Sequence, residues 1–270
     1  MSPWIGLILG LVQGLTEFLP VSSSGHLVLT QRLLGLKEPL VGFDIILHLA
    51  TLFAATIALR RELARILGYL LSLIGIRWVS MRSDQIREGQ RLFWALVIGT
   101  IPAAVVGLLF KERIEKLFED PIFVGYALIF TGAVLLSTRL APKGTSTVGV
   151  APALAIGLAQ AVALVPGISR SGLTVASGLW MGLKREQVVR FSFLLSLPAI
   201  LGAFVLEARH GLDLAGIPVV TLLVAFVAAL VSGYVAMLLL LRVVISGRLS
   251  LFGLYCVAAG IGALFLFSHR

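Results

Sequence analysis

Five apolar runs constrain this chain more than any other feature. Residues 92–110, 121–138, 191–206, 217–241 and 249–267 contain no Asp, Glu, Lys or Arg. Each is close to the roughly 17–25 residues that cross a bilayer as a helix. Residues 43–59 are a sixth candidate, with Asp44 and His48 near the start. Composition agrees. Of 270 residues, 59% are hydrophobic and only 13% are charged, against about 25% charged in a soluble domain. So few charges cannot tile a water-facing surface, so most of the surface must meet lipid. The expected fold class is an all-α polytopic membrane protein, formed as a single membrane domain over 1–270.

The net charge of +9 invites a nucleic-acid reading. Distribution argues against it, because the Lys and Arg lie in short loops between apolar runs, where positive charge is a topology signal. No nucleic-acid partner is expected. The one cysteine, Cys256, sits inside an apolar run and can form no intramolecular disulfide. Residues 1–19 lack a basic leader and carry Gln13 and Glu17, unlike a signal peptide. Residues 77–90 form the largest polar stretch and read as a connector.

An internal repeat organises the chain. Residues 10–25, Gly-Leu-Val-Gln-Gly-Leu-Thr-Glu-Phe-Leu-Pro-Val-Ser-Ser-Ser-Gly, align without a gap on residues 157–172, Gly-Leu-Ala-Gln-Ala-Val-Ala-Leu-Val-Pro-Gly-Ile-Ser-Arg-Ser-Gly. Six of the 16 positions are identical, among them Gln13/Gln160, Ser22/Ser169, Ser24/Ser171 and Gly25/Gly172. Repeat 1 covers about 1–140 and repeat 2 about 148–270. In each copy an apolar stretch of roughly 14 residues runs into a proline, then a Ser/Gly cluster, then a second apolar stretch. As a helix the first stretch rises only about 21 Å, short of the roughly 30 Å core. The reading is a re-entrant helix–loop–helix hairpin, and irregular backbone at that depth survives only inside protein or beside a watery cavity. Paired interrupted segments in corresponding halves point to a membrane binding site.

Three spans follow each hairpin, giving six transmembrane helices and two re-entrant hairpins. An odd number of crossings inverts the second copy, so the hairpins should enter from opposite faces and meet near the midplane. Of the 22 Lys and Arg, 14 fall on one side, 7 on the other, and Arg170 lies within the second hairpin. The richer side is expected to be cytoplasmic, with both termini and the mouth of the first hairpin outside.

The polar residues in the hairpins carry the chemistry. Glu17 follows Gln13 by four residues, so both project from one helical face. An ionisable group at this depth is a functional-site hypothesis by default. Its bland alternative is a protonated Glu bonded to a neighbouring helix, but Ser22, Ser23, Ser24 and His26 follow closely. Arg170 lies in Pro166-Gly-Ile-Ser-Arg-Ser-Gly172, among small residues that leave backbone amides accessible. Its planar donor fork fits phosphate oxygens, and serine hydroxyls, free amides and helix N-termini add donors. The bland alternative is an Arg170–Glu17 ion pair that only pins the hairpins together. His26 could serve as acid, base or nucleophile, and Ser23 as nucleophile if a base reaches it. Asp44 and His48 share a face and could back the site residues, although structural hydrogen bonding is the expected role. Nothing singles out His210 or His269. A hard cation such as magnesium could bind at Glu17 with Gln13 close by, completing its shell with water and phosphate.

At these residues the sequence resembles the bacterial undecaprenyl-diphosphate phosphatase family, the family associated with bacitracin resistance. The resemblance covers the whole chain. It rests on Gln13-Gly-Leu-Thr-Glu-Phe-Leu-Pro-Val-Ser-Ser-Ser-Gly-His26 and on Pro166-Gly-Ile-Ser-Arg-Ser-Gly-Leu-Thr174, and residues 43–48 match a third family segment. It implies hydrolysis of a C55 polyprenyl diphosphate to the monophosphate carrier and inorganic phosphate, which recycles the carrier for peptidoglycan synthesis. It also implies a divalent cation, magnesium first and calcium second. Glu17, His26 and Arg170 take catalytic roles, with Ser23 a disputed nucleophile beside His26 and water. Gln13, Ser22, Ser24, Ser169, Ser171 and Thr174 join Arg170 in substrate binding. Gln13 stands where many members have Glu, which weakens a two-carboxylate metal site and leaves Glu17 as the expected ligand. The expected place is the bacterial inner membrane, with the pocket opening outward. Partners are the lipid substrate, membrane lipid and, as a further expectation, a second copy in a homodimer. The competing reading is a transporter or flippase of an anionic lipid.

Overall fold

The computed structural model describes residues 1–36, 40–76, 81–210, 214 and 216–268, leaving aside the side chains of Val41, Glu207 and His210. Lys37, Arg77 and Arg270, three charges used in the orientation, and His269 lie outside the described residues, as does the side chain of His210. Every long element is helical. In chain order they are α1 (Pro3–Phe18), α2 (Ser23–Leu33), α3 (Val41–Ala58), α4 (Arg60–Leu73), α5 (Ser83–Leu109) and α6 (Lys111–Leu117). There follow α7 (Pro121–Ser137), α8 (Val150–Val162), α9 (Arg170–Trp180), α10 (Arg185–His210), α11 (Val219–Ile245) and α12 (Ser250–Phe267).

Five of these, α5, α7, α10, α11 and α12, are long and apolar enough to cross a membrane; the bent pair α3–α4, taken as one span, makes six. The six apolar runs read from the sequence map onto α3, α5, α7, α10, α11 and α12. α11 shows what lipid asks of a span. Val219, Leu223, Val227, Val231 and Val235 are exposed at four-residue intervals, whereas Ala225, Ala229, Ala236 and Leu240 are buried. Exposed valine and leucine cost nothing in hydrocarbon, and small buried residues let helices approach.

Two boundaries differ from expectation. The polar residues 83–90 are not a connector but the first turns of the 27-residue α5. Gln85 Oε1 accepts from the Arg82 N–H at 3.1 Å, an N-terminal cap that lets a polar segment start a helix. The basic residues after 59 also form a helix. α4 turns by 80° from α3 and buries Glu62, Ile66 and Tyr69, the i, i+4, i+7 stripe of an amphipathic helix. Arg60 and Arg61 stay exposed.

α1 and α8, of 16 and 13 residues, rise only about 24 and 20 Å. Ser2 caps α1 and Pro3 starts it; Pro20 follows its end, where proline removes a helix donor. α1 then packs on α2, and α8 on α9. Both second limbs open with the same device. Ser22 accepts from the Gly25 N–H at 3.3 Å, and Ser169 from the Gly172 N–H at 3.1 Å. The Ser-x-x-Gly identity between the copies is therefore a shared N-cap.

Glycine sets how the short helices dock. A Cβ on Gly10 would strike the Ala225 carbonyl of α11, and one on Gly157 the Gly99 carbonyl of α5. α1 thus lies on α11 and α8 on α5, while α7 packs on α12 and α3 on α10. The two Ser/Gly turns touch. A Cβ on Gly25 would come within 3.0 Å of the Gly167 Cα. Gly167 has φ +86, and a side chain there would meet Val124 and Ala127 of α7, so both backbone conformation and space demand glycine.

Candidate active site

One carboxylate gathers four helices. Glu17 ends α1 with a side chain only 4% exposed. Its Oε1 accepts from Arg170 Nη2 at 2.6 Å. Its Oε2 accepts from Ser23 Oγ at 2.5 Å and from Gln13 Nε2 at 2.9 Å. His48 Nε2, from α3, lies 3.5 Å from the same oxygen. The periodicity that put Gln13 and Glu17 on one face is realised as a direct hydrogen bond. Arg170, the first residue of α9, reaches Glu17 because the second turn lies against the first.

The turns are braced from outside. Thr131 of α7 donates to the Gly167 carbonyl at 3.1 Å and accepts from the Ser169 N–H at 3.0 Å. Ser171 Oγ donates to the Leu19 carbonyl at 3.0 Å, joining the two hairpins directly. Cys256 of α12 donates weakly to the Pro20 carbonyl at 3.4 Å. Ser22 and Ser24 hydroxyls are 3.3 Å apart, as are those of Ser169 and Ser171. The N-termini of α2 and α9 both open into this region, where their peptide dipoles favour an anion.

Two atoms in this cluster are buried without a partner: Arg170 Nη1 and Gln13 Oε1. A buried, unmatched guanidinium nitrogen is a costly arrangement, and an anionic oxygen is its natural complement. The unmatched amide oxygen bears on the cation. Among the described residues no group of three or more His, Cys, Asp or Glu could hold a metal. Glu17 already accepts from Arg170, Ser23 and Gln13, so a hard cation here would draw on that carboxylate and on Gln13 Oε1, the unmatched oxygen, and would fill its shell with water and phosphate.

The expected residues do not all converge. His26 makes its contacts elsewhere: Nδ1 to the Ser22 carbonyl at 2.8 Å and Nε2 to Tyr255 Oη at 2.7 Å. Thr174 is fully buried. Its hydroxyl bonds the Arg170 carbonyl at 2.7 Å and Ser192 Oγ at 2.6 Å, which braces the first turn of α9. Asp44 accepts from Gln31 at 2.8 Å, a structural role. His48 donates Nδ1 to the Asp44 carbonyl at 2.7 Å, and this turns Nε2 toward Glu17. Sequence reasoning favoured a structural role for His48 over one behind the site, and it missed Tyr255, Thr131 and Ser192. Each is a polar residue within a span, a faint signal that gains meaning only when a partner is known.

The chain is similar to known proteins over nearly its whole length. The family described as bacitracin resistance protein BacA matches residues 6–262. The undecaprenyl-diphosphatase of Desulforapulum autotrophicum is 43% identical over 272 residues, covering 97% of each chain. That of Desulfosudis oleivorans is 44% identical over 277 residues, covering 96% of this chain and 97% of its own. That of Carboxydothermus hydrogenoformans is 41% identical, covering 98% of each. With matches of this extent, the chain belongs to the BacA bacitracin-resistance family.

Proposed function

We propose that this membrane protein hydrolyses undecaprenyl diphosphate to undecaprenyl phosphate and inorganic phosphate, recycling the carrier for peptidoglycan synthesis and conferring bacitracin resistance. The observation that carries the reading is the buried Glu17–Arg170 pair, made across the two hairpins, with Arg170 Nη1 left unmatched. A pair that only pinned the hairpins would have no use for the free nitrogen or for two helix N-termini aimed at it. The alternative of a transporter or flippase is not favoured, since the relatives are named diphosphatases.

In this reading Arg170 binds the terminal phosphate through Nη1, and the amides at the start of α2 and α9 take further oxygens. Ser23 is the best supported nucleophile, because its hydroxyl already donates to a carboxylate. Its oxygen bonds the terminal phosphorus as its proton passes to Glu17. The bond to the bridging oxygen breaks, and lipid monophosphate leaves. Water then attacks the phosphorus and gives a proton to a phosphate oxygen, while the Ser23 oxygen leaves with the proton held by Glu17, releasing inorganic phosphate and restoring the serine. Glu17 and Gln13 Oε1 would hold the divalent cation, magnesium first and calcium second, which when bound offsets charge on the phosphate oxygens. Most of the rate would come from positioning and electrostatics.

The membrane we assign is the bacterial cytoplasmic membrane, with the pocket opening outward. We also assign the halves 1–140 and 148–270 to an inverted repeat. Its support is the exchange of partners, α1 on α11 against α8 on α5. The test is phosphate release by purified protein in detergent, given long-chain polyprenyl diphosphate and magnesium. Release is expected from the parent, and a loss of at least about 100-fold from Glu17→Ala and from Arg170→Ala. No release from the parent would sink the reading; undiminished release in both variants would sink the site. A phosphoserine at Ser23, trapped by acid quench, would establish the covalent step. Turnover persisting in Ser23→Ala would instead give the attack to water or His26.

A further inference from the structure

His48 stands on α3, outside both hairpins. We infer that its Nε2 is a nitrogen ligand of the divalent cation, making a mixed site with Glu17 Oε2 and Gln13 Oε1. The inference rests on the cation proposed above and adds a residue to its site.

The imidazole is oriented for this. Nδ1 lies 2.7 Å from the Asp44 backbone carbonyl, which can only accept, so Nδ1 carries a hydrogen. Metal-binding histidines characteristically give their second ring N–H to a carboxylate or backbone carbonyl in this way. In the neutral ring Nε2 then holds a lone pair, and it faces Glu17 Oε2 at 3.5 Å. Two acceptors set face to face call for a positive charge. A proton on Nε2 would supply one, but the separation exceeds the roughly 2.7–3.2 Å of an N–H···O hydrogen bond. It is close to the spacing of two donors on one ion, which at bond lengths of about 2.1 Å stand roughly 3.0–3.4 Å apart. An ion pair of His48 with Glu17 would also leave Gln13 Oε1 without a use.

Gln13 supplies the third donor. Its Nε2 is 2.9 Å from the same Glu17 oxygen, and its Oε1 is buried without a partner. A half-turn of the amide exchanges the two atoms and sets the oxygen beside Glu17 Oε2, trading one hydrogen bond for a bond to the ion. Glu17 Oε2 then keeps Ser23 on one lone pair and offers the other to the cation, while Oε1 stays with Arg170. The His48 side chain is 30% exposed against 4% for Glu17, so an ion and its waters reach the site from the His48 side. Leu47 and Ala50, which flank His48, are fully buried and hold this turn of α3 in place.

The experiment gives manganese alone, as a paramagnetic probe, to the purified chain in detergent, freed of any histidine tag. The parent is expected to bind one ion per chain. Its electron spin echo should carry a nitrogen modulation that changes when the protein is made with isotopically labelled histidine. His48→Ala should lose that modulation and bind manganese at least about 10-fold more weakly, the low end for losing even a residue that only orients a ligand. His26→Ala should keep both. Manganese bound by the parent without histidine modulation, or modulation and affinity unchanged in His48→Ala, would overturn the inference alone and leave an all-oxygen cation site. No manganese binding by the parent would remove the cation from the proposed function and the inference with it. The parent measurement needs no variant, and thermal melts separate lost ligation from an unfolded sample.

Discussion

Glu17 and Arg170 show how one contact can serve stability and chemistry together. Glu17 is buried and Arg170 is 15% exposed, they meet at 2.6 Å, and they lie 153 residues apart in sequence. Removing one member of such a pair leaves an uncompensated charge and costs about 3–5 kcal/mol. Replacing both by apolar residues can be nearly neutral. Neither copy repeats the pair, since Leu164 stands at the place of Glu17 in the second copy and Ser23 at the place of Arg170 in the first. We therefore expect Glu17→Leu and Arg170→Leu each to lower the melting temperature in detergent. The double variant should recover most of that loss while releasing no phosphate. Additive losses would mean that the two side chains are stabilised separately. Arg170→Lys keeps the charge but not the fork. It should melt close to the parent yet lose about 100-fold in phosphate release. Glu17 and Arg170 were legible in the sequence because a charge in an apolar run is conspicuous. The approach of His48 and Tyr255 was not, because it depends on helix register across up to 229 residues.

At the scale of elements, the turns rather than the helices fix the pocket. The Ser-x-x-Gly caps of α2 and α9 were visible as identities between the copies, though their role as caps became plain only from the hydrogen bonds. Gly167 is the sharpest case. Its left-handed backbone and its contact with α7 both exclude a side chain, so Gly167→Ala should cost more than the roughly 1 kcal/mol of a helix-interior change. It should also lower activity, because Arg170 begins the helix three residues on. A Gly167→Ala variant with parental melting and parental turnover would show that the turn tolerates displacement. α4 and the start of α5 were illegible for a physical reason. Polar residues at helical spacing resemble a loop unless the buried stripe is weighed, and here that stripe includes a buried acid, Glu62, held by Arg190 at 2.7 Å.

The whole molecule couples one buried, charged centre to a lipid-facing exterior, and its orientation decides from which side substrate arrives. In the proposed orientation the start of α5 lies in the cytoplasm and α6 outside. Asp84 and Glu112 are both exposed, so each can carry a reporter cysteine. The native Cys256 is fully buried and provides a silent background. In whole cells, a membrane-impermeant thiol reagent should label Glu112→Cys at once. Asp84→Cys should react only after the membrane is opened. The reverse pattern would turn the pocket toward the cytoplasm and require the lipid diphosphate to be presented there. Labelling of both positions in intact cells would mean that the chain inserts both ways, as an excess of only 14 basic residues over 7 would permit. A single outward orientation puts the mouth of the first hairpin, and with it Glu17, on the side where a spent carrier is released.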